Sequence, residues 1–383
     1  MHFFSSKFKI GILGGGQLGK MLLFDSKRYD LHTKVMDPNK NAPCNNIADE
    51  FIVGNLNDYN DVINFGKLVD IITIEIENVN TDALEYLEKI GKKVYPPSRA
   101  IKIIQNKCEQ KAFYKSNNLP TSAFTNYSSL SDLKEDLKNE NLKFPFVWKS
   151  AKFGYDGKGV KIIRNHDDLK SINDGLCLIE EKVSIKKEIS VIVSRNVEGK
   201  MKCFPVVEME FNDESNLVEY VMCPANISDE IASSAYEIAQ NISQKLEMVG
   251  LLAVELFISD DDKILINEVA PRPHNSGHHT IECCITSQFD QHIRSILNLN
   301  PGKTDIKIPG IMVNLVGENI IEGDAIYKNI NHIFDFPGVN IHIYGKKKSR
   351  LNRKMGHITI VNNEISKAIE IGKKIKKKIK VTS

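Results

Sequence analysis

Two carboxylates lie within one apolar, acidic-centred stretch, LLAVELFISDDDKILINEVAPRPHNSGHHT, which spans residues 251–280. Glu255 and Glu268 fall on the runs LLAVELFI and ILINEVA, which are typical of buried strands. If Asp261 and Asp262 centre the turn between them, the two glutamates are cross-strand partners. Like charges facing each other destabilise a sheet, and a buried carboxylate needs a partner. A divalent cation would serve, because Mg²⁺ is held by one or two carboxylates together with phosphates; the alternative is a solvated acidic edge.

Other residues suit the binding of a phosphorylated ligand. Lys149 lies inside the apolar strand FPFVWKSA, where an ammonium group is costly unless it meets an anion. The glycine-rich stretch FGYDGKG, residues 153–159, follows and could close its N–H groups over phosphates, or it could be an ordinary hairpin turn. The strand LIEEKV, residues 178–183, could offer backbone groups to an adenine ring or could simply end there. Lys107, before a helix, is uninformative by itself.

A glycine loop near the N-terminus allows a different interpretation. Residues 14–19, GGGQLG, match the GxGxxG pattern after a strand and before a helix, and Asp37 ends the next strand. This combination is typical of a dinucleotide site. The same glycines also permit any tight turn or close ligand at a helix N-terminus, so the loop alone is weak support for a dinucleotide.

The elements that must position these residues change along the chain. Residues 8–107 alternate strands and helices, which predicts an α/β unit with a parallel sheet; the strand DIITIEIENV would place Glu75 and Glu77 on one face. Strands dominate residues 142–290, including one over KMKCFPVVEMEF, and a helix closes at Gly250. A small β-rich unit with a terminal helix follows. We predict domains over 1–107, 108–298 and 299–383.

We expect neither a nucleic-acid partner nor a membrane partner. The 383 residues carry a net charge of +2, which argues neither for nor against nucleic acid, and the basic run at 373–380 is typical of a solvated helix face. The seven cysteines are scattered without a CxxC pair, which indicates free thiols in a reducing cytoplasm. We expect no signal peptide and no membrane span.

Taken together, these residues resemble the ATP-grasp superfamily. From about residue 8 to about residue 360 the chain is similar to its 5-(carboxyamino)imidazole ribonucleotide synthase family. The words that carry the resemblance are GGGQLGKML, TIEIENV, FGYDGKG, NEVAPRPHNSGHHT, TSQFDQHIR, YGK and RKMGH. NEVAPRPHNSGH together with RKMGH is the most specific. The resemblance implies mixed α/β and α+β architecture: a Rossmann-like N-terminal pre-ATP-grasp domain, a central ATP-grasp domain and a small β-rich C-terminal domain.

The resemblance also implies the chemistry. ATP would phosphorylate bicarbonate to carboxyphosphate, which, directly or as CO₂, would carboxylate the amine of 5-aminoimidazole ribonucleotide in purine synthesis. The expected cofactors are ATP and Mg²⁺, and the expected assembly is a homodimer in the cytoplasm. The protein would position reactants and neutralise charge without a nucleophilic side chain.

Family roles carry over to matching positions. Lys107 and Lys149 would bind the ATP phosphates, although the family often has Arg at the first position. A lid would cover the phosphates, formed by Gly154, Tyr155, Asp156, Gly157, Lys158, Gly159 and Val160. Val160 stands where Gln is usual. The nucleoside would lie along Glu180, Glu181, Lys182, Val183 and Glu188, and Phe211 stands where some members place a nucleotide-contacting His. Mg²⁺ would be bound by Glu255 and Glu268, with Asn267 beside them. Strict alternation places Asn267 on the opposite face from Glu268, so its role requires a bulge or a strand end.

The ribonucleotide would occupy the other side of the site. Its expected contacts are Gln17, Glu77, Tyr155, Arg272, His274, Asn275, Ser276, Lys346, Arg353 and Lys354. The last three would seat the 5′-phosphate, although their alternative is a solvated basic loop. Glu77 is either a substrate contact or base, or an acid that simply ends a strand. The residues expected to act directly on the reaction are Glu255, Glu268, Tyr155 and Arg272.

Three other functions compete with this interpretation. A sibling ATP-grasp ligase, such as formate-dependent glycinamide ribonucleotide transformylase, would share the ATP site and differ in its acceptor pocket. An NAD-dependent oxidoreductase would use residues 14–19 and leave the paired glutamates without a role. A catalytically inactive scaffold is disfavoured because the phosphate and metal residues are all present.

Overall fold

The computed structural model describes residues 4–5, 7–152 and 159–383. The N-terminal part alternates strands with helices: β1 (Lys9–Leu13), α1 (Gln17–Arg28), β2 (His32–Asp37), β3 (Glu50–Val53), α2 (Tyr59–Lys67), β4 (Ile71–Ile74), α3 (Thr81–Lys89), β5 (Lys93–Val94) and α4 (Ser98–Ile104). Its five strands are all parallel in the order β3-β2-β1-β4-β5. The predicted α/β unit is therefore confirmed, with side-chain caps from Asp58 and Asn80 starting α2 and α3.

One predicted strand of this sheet is too long. β4 ends at Ile74, and the chain bends over residues 75–77 instead of continuing through them. Glu75 and Glu77 therefore do not share the face of a strand, as alternation predicted. The physical reason is a long-range one: the Glu75 side chain turns to the first turn of α1, where backbone N–H groups have no helical partners.

A second, four-stranded antiparallel sheet carries Lys149. Its order is β6-β9-β7-β8, and its elements are α5 (Lys107–Ser116), β6 (Phe124–Tyr127), α6 (Leu130–Lys138), β7 (Phe146–Ser150), β8 (Val160–Ile163) and β9 (Cys177–Glu181). Phe146 and Trp148 pack with Leu133 of α6 on one face. Alternation along β7 places Lys149 on the other face, towards α5.

The largest sheet has nine strands and is antiparallel. Its central part contains β10 (Ile185–Arg195), β11 (Met201–Cys203), β12 (Val207–Phe211), β13 (Val218–Cys223), α7 (Asp229–Lys245), β14 (Gly250–Ser259), β15 (Ile264–Ala270), α8 (Thr280–Cys283) and α9 (Gln288–Ile296). The C-terminal part of the chain adds three strands to this sheet, β16 (Gly310–Val316), β19 (Val339–Ile343) and β21 (Lys354–Val361). It also contains the helix α10 (Ile365–Lys378) and two separate strand pairs, β17 (Gly323–Asp324) with β20 (Lys348–Ser349) and β18 (Ile326–Lys328) with β22 (Lys380–Thr382).

The main path through this sheet is β15-β14-β10-β12-β13-β16-β21-β19, with β11 paired to β10. The C-terminal strands therefore extend the central sheet through the β13–β16 pair. Two predicted elements differ. The stretch KMKCFPVVEMEF forms β11 and β12, since Pro205 between them has no N–H to donate. The helix α7 ends at Lys245, whereas Gly250, with φ +108°, opens β14.

Within the described residues, none of the helices is both long enough and apolar enough to cross a membrane.

Candidate active site

The hairpin β14–β15 pairs the two glutamates as predicted: Glu255 lies opposite Glu268. The predicted turn centre is wrong. The Ser259 N–H donates to the Lys263 carbonyl at 3.0 Å, so the turn is centred on Asp261 alone. The register then shifts between Glu255 and Leu256, and the shift restores the glutamate pair.

The register shift is a β-bulge whose extra residue is Asn267, because Ile266 pairs with Leu256 while Glu268 pairs with Glu255. Asn267 Oδ1 accepts from Lys149 Nζ at 3.1 Å, and Glu268 Oε2 is 2.6 Å from Lys107 Nζ. Two consecutive side chains thus both reach lysines, Lys149 of β7 and Lys107 of α5. The bulge lets Asn267 and Glu268 point to the same face, which strict alternation would not allow.

The two paired carboxylates differ in their electrostatics. Burial raises the pKa of Glu255 to about 8, and the nearby Glu268 and Glu188 add to the effect. The attraction of Lys107 lowers the pKa of Glu268 to about 2 despite the cost of burial. Burial also raises the pKa of Glu188 to about 7. Glu255, 3.6 Å from His274, therefore resists ionisation until a further positive charge arrives.

This carboxylate pair fits the chemistry of a magnesium site completed by its ligand. Among residues 4–5, 7–152 and 159–383, no group of three or more His, Cys, Asp or Glu side chains is already assembled around a metal position. Mg²⁺ needs no such group, since it keeps waters and shares its coordination between one or two carboxylates and phosphate oxygens.

The nucleoside residues lie where the two antiparallel sheets meet. Glu180 is buried at the end of β9 and accepts from Ser122 Oγ at 2.6 Å, and its other oxygen is 2.8 Å from Lys149 Nζ. Glu181 and Lys182 are exposed and Val183 is half-buried. The Glu181 N–H already donates to the Ala123 carbonyl at 2.9 Å, and the Glu180 carboxylate is engaged by Lys149 and Ser122.

The predicted phosphate lid is described only at its end. Gly154, Tyr155, Asp156, Gly157 and Lys158 lie outside the described residues. Gly159 O accepts from the Ser150 N–H at 2.8 Å, and Val160 pairs with Lys149. The loop therefore returns directly beside the strand that carries Lys149.

The segment after β15 places the predicted ribonucleotide residues beside the metal pair. Arg272 Nη2 is 2.7 Å from Glu77 Oε1, so these two predicted residues meet as an ion pair. A hydrogen bond of 2.9 Å joins His274 Nδ1 and Ser276 Oγ. Asn275 exchanges hydrogen bonds of 2.9 and 2.8 Å with Asn314, a buried partner that sequence analysis did not single out.

The three residues predicted to seat the phosphate lie on either side of β20 and at the start of β21. Lys346 Nζ donates to the Lys354 carbonyl at 2.7 Å, and Arg353 Nη1 donates to the Lys348 carbonyl at 2.8 Å. The charge of Lys354 also acts to lower the pKa of Glu255, so it faces the metal pair. Of the remaining predicted residues, Gln17 begins α1, and Phe211 packs at the end of β12 beside a bulge.

The glycine loop is held by the chain's own carboxylates. Asp37 Oδ2 accepts from the Gly15 N–H at 2.8 Å, and Glu75 accepts from the N–H groups of Gly16 and Gly19 at 3.0 and 3.1 Å. Burial raises the pKa of Glu75, while the two N–H donors act to lower it. A pyrophosphate would need these same donors, so the structure contradicts the dinucleotide interpretation.

Glu75 is a structural residue of the site that sequence analysis missed as such. Its signal was its position: an acid immediately after a buried parallel strand falls at the same edge as the neighbouring glycine loop. The pattern TIEIEN drew attention to Glu77 instead.

Comparison with known proteins agrees with this geometry. Three family models match the chain: a ribonucleotide synthetase preATP-grasp domain over residues 7–105, an ATP-grasp domain over 112–289, and a phosphoribosylaminoimidazole carboxylase C-terminal domain over 310–371. The chain is 37% identical over 361 residues to N5-carboxyaminoimidazole ribonucleotide synthase of Bacillus subtilis, covering 92% of this chain and 91% of that protein.

Solved structures are similar over nearly the whole chain. N5-carboxyaminoimidazole ribonucleotide synthetase of Thermotoga maritima is 40% identical with a TM-score of 0.90, covering 98% of this chain and 99% of that one. The Aspergillus clavatus N5-carboxyaminoimidazole synthase, solved in complex with ADP and 5-aminoimidazole ribonucleotide, is 31% identical with a TM-score of 0.85 over 96% and 99% of the two chains. The resemblance drawn from sequence motifs is thus confirmed, and the chain belongs to the N5-carboxyaminoimidazole ribonucleotide synthase family of ATP-grasp enzymes.

Proposed function

We propose that this chain consumes ATP and bicarbonate to carboxylate the exocyclic amine of 5-aminoimidazole ribonucleotide. The products are N5-carboxyaminoimidazole ribonucleotide, ADP and phosphate. The observation that carries the proposal is the pairing of Glu255 with Glu268 across the hairpin, with Lys107 2.6 Å from the second carboxylate. This is a polyanion and cation site, and it lies beside the Arg272–Glu77 ion pair on the acceptor side.

The residues present fit Mg²⁺ as the resident cation. Glu255 and Glu268 would hold it, and Asn267 is brought beside them by the bulge. When bound, Mg²⁺ would neutralise the charge that develops on the phosphates in phosphoryl transfer. The high pKa of Glu255 supports this assignment, because a buried carboxyl that resists ionisation gains most from a nearby cation.

The chain's own groups supply positioning and charge. Lys107 and Lys149 would bind the phosphates, and residues 154–160 would cover them and exclude water from the labile carboxyphosphate. The backbone of Glu181 and Val183 would meet adenine, and Glu188 would meet the ribose. Phe211 would offer only an apolar contact at the position where some family members are expected to place a histidine.

The acceptor would lie across the sheet edge from the nucleotide. Lys346, Arg353 and Lys354 would bind its 5′-phosphate, with Gln17 at the start of α1. Further contacts would come from Arg272, His274, Asn275 and Ser276, with Tyr155 from the lid. Arg272 and Glu77 would orient the amine, and Glu77 would accept its proton.

A homodimer in the cytoplasm completes the proposal. Ile320 and Ile321 are 85% and 82% exposed on the C-terminal part, which is unusual for adjacent large apolar side chains and suits a subunit contact. Light scattering after gel filtration should give twice the chain mass. Replacement of both isoleucines by serine should reduce the measured mass to that of a single chain.

Release of ADP tests the reaction. The purified chain should form ADP with Mg²⁺-ATP, bicarbonate and 5-aminoimidazole ribonucleotide together, and much more slowly when either co-substrate is omitted. ADP formation that instead requires glycinamide ribonucleotide and formate would refute the proposal in favour of the sibling ligase. Calorimetry without Mg²⁺-dependent ATP binding would refute both.

A further inference from the structure

Lys111, which no motif singled out, is one of the most buried charged side chains in the described chain. It lies in the middle of α5 and is 2% exposed. Its Nζ reaches Glu180 Oε2 at 3.0 Å, Thr121 Oγ1 at 2.5 Å and Ser122 Oγ at 3.1 Å. A lysine has three donors, and all three are used. A fully satisfied buried ammonium group is a built feature, since burying one without partners is very costly.

The carboxylate that Lys111 meets is shared with a second lysine. Glu180 is 3% exposed, and its other oxygen is 2.8 Å from Lys149 Nζ. Lys149, itself 6% exposed, also donates to Asn267 Oδ1 at 3.1 Å. These three side chains, two ammonium groups and one carboxylate, carry one net positive charge at the point where the phosphates of ATP would lie.

The shared carboxylate sets what Lys149 can do. With Lys149 as its only cationic partner, Glu180 would form a closed, neutral pair and hold the ammonium group away from a ligand, since charges attract strongly in a buried site. Lys111 supplies the balancing charge. Glu180 then still orients Lys149, while its negative charge is shared between two lysines, which leaves Lys149 able to attract an anion.

Helix α5 fixes this arrangement relative to the metal pair. Lys107 and Lys111 are one turn apart on α5, and they reach Glu268 and Glu180 respectively. Thr121, which accepts from Lys111, donates to the Ile266 carbonyl at 3.0 Å, directly before the bulge. A single helix thus sets the positions of both acidic elements.

We propose that Lys111 is a positioning residue for the nucleotide: it neutralises Glu180 so that Lys149 can give its charge to the ATP phosphates. Lys111 does not touch the nucleotide itself. The inference rests on the proposed ATP-dependent function and extends it to a residue outside the binding contacts.

The test measures dissociation constants by calorimetry for Mg²⁺ with a non-hydrolysable ATP analogue and, separately, for 5-aminoimidazole ribonucleotide. Lys111→Met should weaken analogue binding by about tenfold to a hundredfold, the usual worth of a charge-assisted contact. Ribonucleotide binding should change by less than about twofold. A merely structural lysine would weaken both ligands together or neither, and either result would overturn the inference.

A double-mutant cycle removes the dependence on folding of the single variant. Lys111→Met leaves Glu180 as a buried charge with Lys149 as its one cationic partner, whereas Lys111→Met combined with Glu180→Gln removes that carboxylate as well. The double variant should bind the analogue as Glu180→Gln does. A further tenfold loss in the double variant would contradict the proposed role, because Lys111 would then act on something other than Glu180.

The matched control is Lys34→Met. Lys34 is 6% exposed and 2.5 Å from Glu50 in the parallel sheet, so its replacement also breaks a lysine–glutamate pair with a largely buried lysine. It should leave both dissociation constants unchanged. If the unaltered chain fails to bind Mg²⁺-ATP, the proposed function is refuted; if it binds and Lys111→Met binds equally well, only this inference is refuted.

Discussion

Replacement of Glu268 by glutamine should stop ADP formation and leave the fold nearly unchanged. The structure gives the size of the second effect. The attraction of Lys107 lowers the pKa of Glu268 to about 2, against about 4.3 for an ordinary glutamate, which corresponds to at most ~3 kcal/mol of native-state stabilisation. The side chain is 45% exposed, so screening reduces this to about 1 kcal/mol.

The effect on catalysis should be far larger. Glu268 is one of only two carboxylates proposed to hold the cation, and the loss of one charge-stabilising group in an active site typically lowers kcat by about 10²–10³-fold. A coupled assay of ADP release, with thermal unfolding of the same sample, measures both effects. Turnover within about tenfold of the unaltered enzyme would refute the metal role.

Asp262→Asn is the matched control for that experiment. Asp262 lies in the turn of the same hairpin, at φ +57°, which asparagine also adopts, and its carboxylate is 2.7 Å from Lys186 at the surface. The substitution makes the same carboxylate-to-amide change outside the site, so it should leave ADP release unchanged. Equal loss of activity in both variants would mean that the hairpin fold, and not the cation, is being disturbed.

Three further outcomes follow from other contacts. Arg353→Ala should raise KM for 5-aminoimidazole ribonucleotide more than KM for ATP in steady-state assays; equal increases would count against a phosphate seat. Gly14→Ala should destabilise the protein by ~2 kcal/mol or more, as measured by denaturant unfolding. Gly14 has φ +99°, and an added Cβ would lie 2.7 Å from Glu75 Cγ. Unchanged stability would contradict the tight packing of this loop. Burial opposes ionisation of Asp49, but hydrogen bonds from Lys27 and Thr33 lower its pKa to about 2. The stabilisation that its carboxylate provides is therefore present above about pH 4 and lost as the pH falls towards 2. Asp49→Asn should reduce the dependence of the free energy of unfolding on pH between about 2 and 4, and an unaltered dependence would argue against the contact.

The glutamate pair could be predicted because it depends on local patterns. Apolar alternation identified two strands, and the acidic turn set their approximate register. The bulge at Asn267 could not be predicted in the same way, since one extra residue leaves the composition of the strand unchanged and is stabilised by Lys149, which is 118 residues away. The turn is centred half a residue earlier than predicted, and the bulge adds one residue to β15. These two differences cancel, so Glu255 still lies opposite Glu268.

Glu75 and Lys111 show why the rest of the site was missed. Glu75 bonds to residues 59 and 56 positions earlier, and only the assembled parallel sheet reveals that the strand ends before it. Lys111 lies in the helix KCEQKAFYKS among other charged residues, where a lysine ordinarily faces water. Its burial results from packing against β9, which the helix sequence does not encode on its own.

The continuous hydrogen bonding from β13 into β16 constrains protein engineering in this family. Residues 220–223 of one strand pair with 310–313 of the next, so a chimera that joined the first 298 residues to a relative's C-terminal part would have to recreate that seam. Removal of the C-terminal part would expose a new sheet edge rich in valine and methionine, which favours aggregation. Exchange of acceptor specificity between relatives should therefore succeed by replacing loops at the strand ends sooner than by exchanging whole modules.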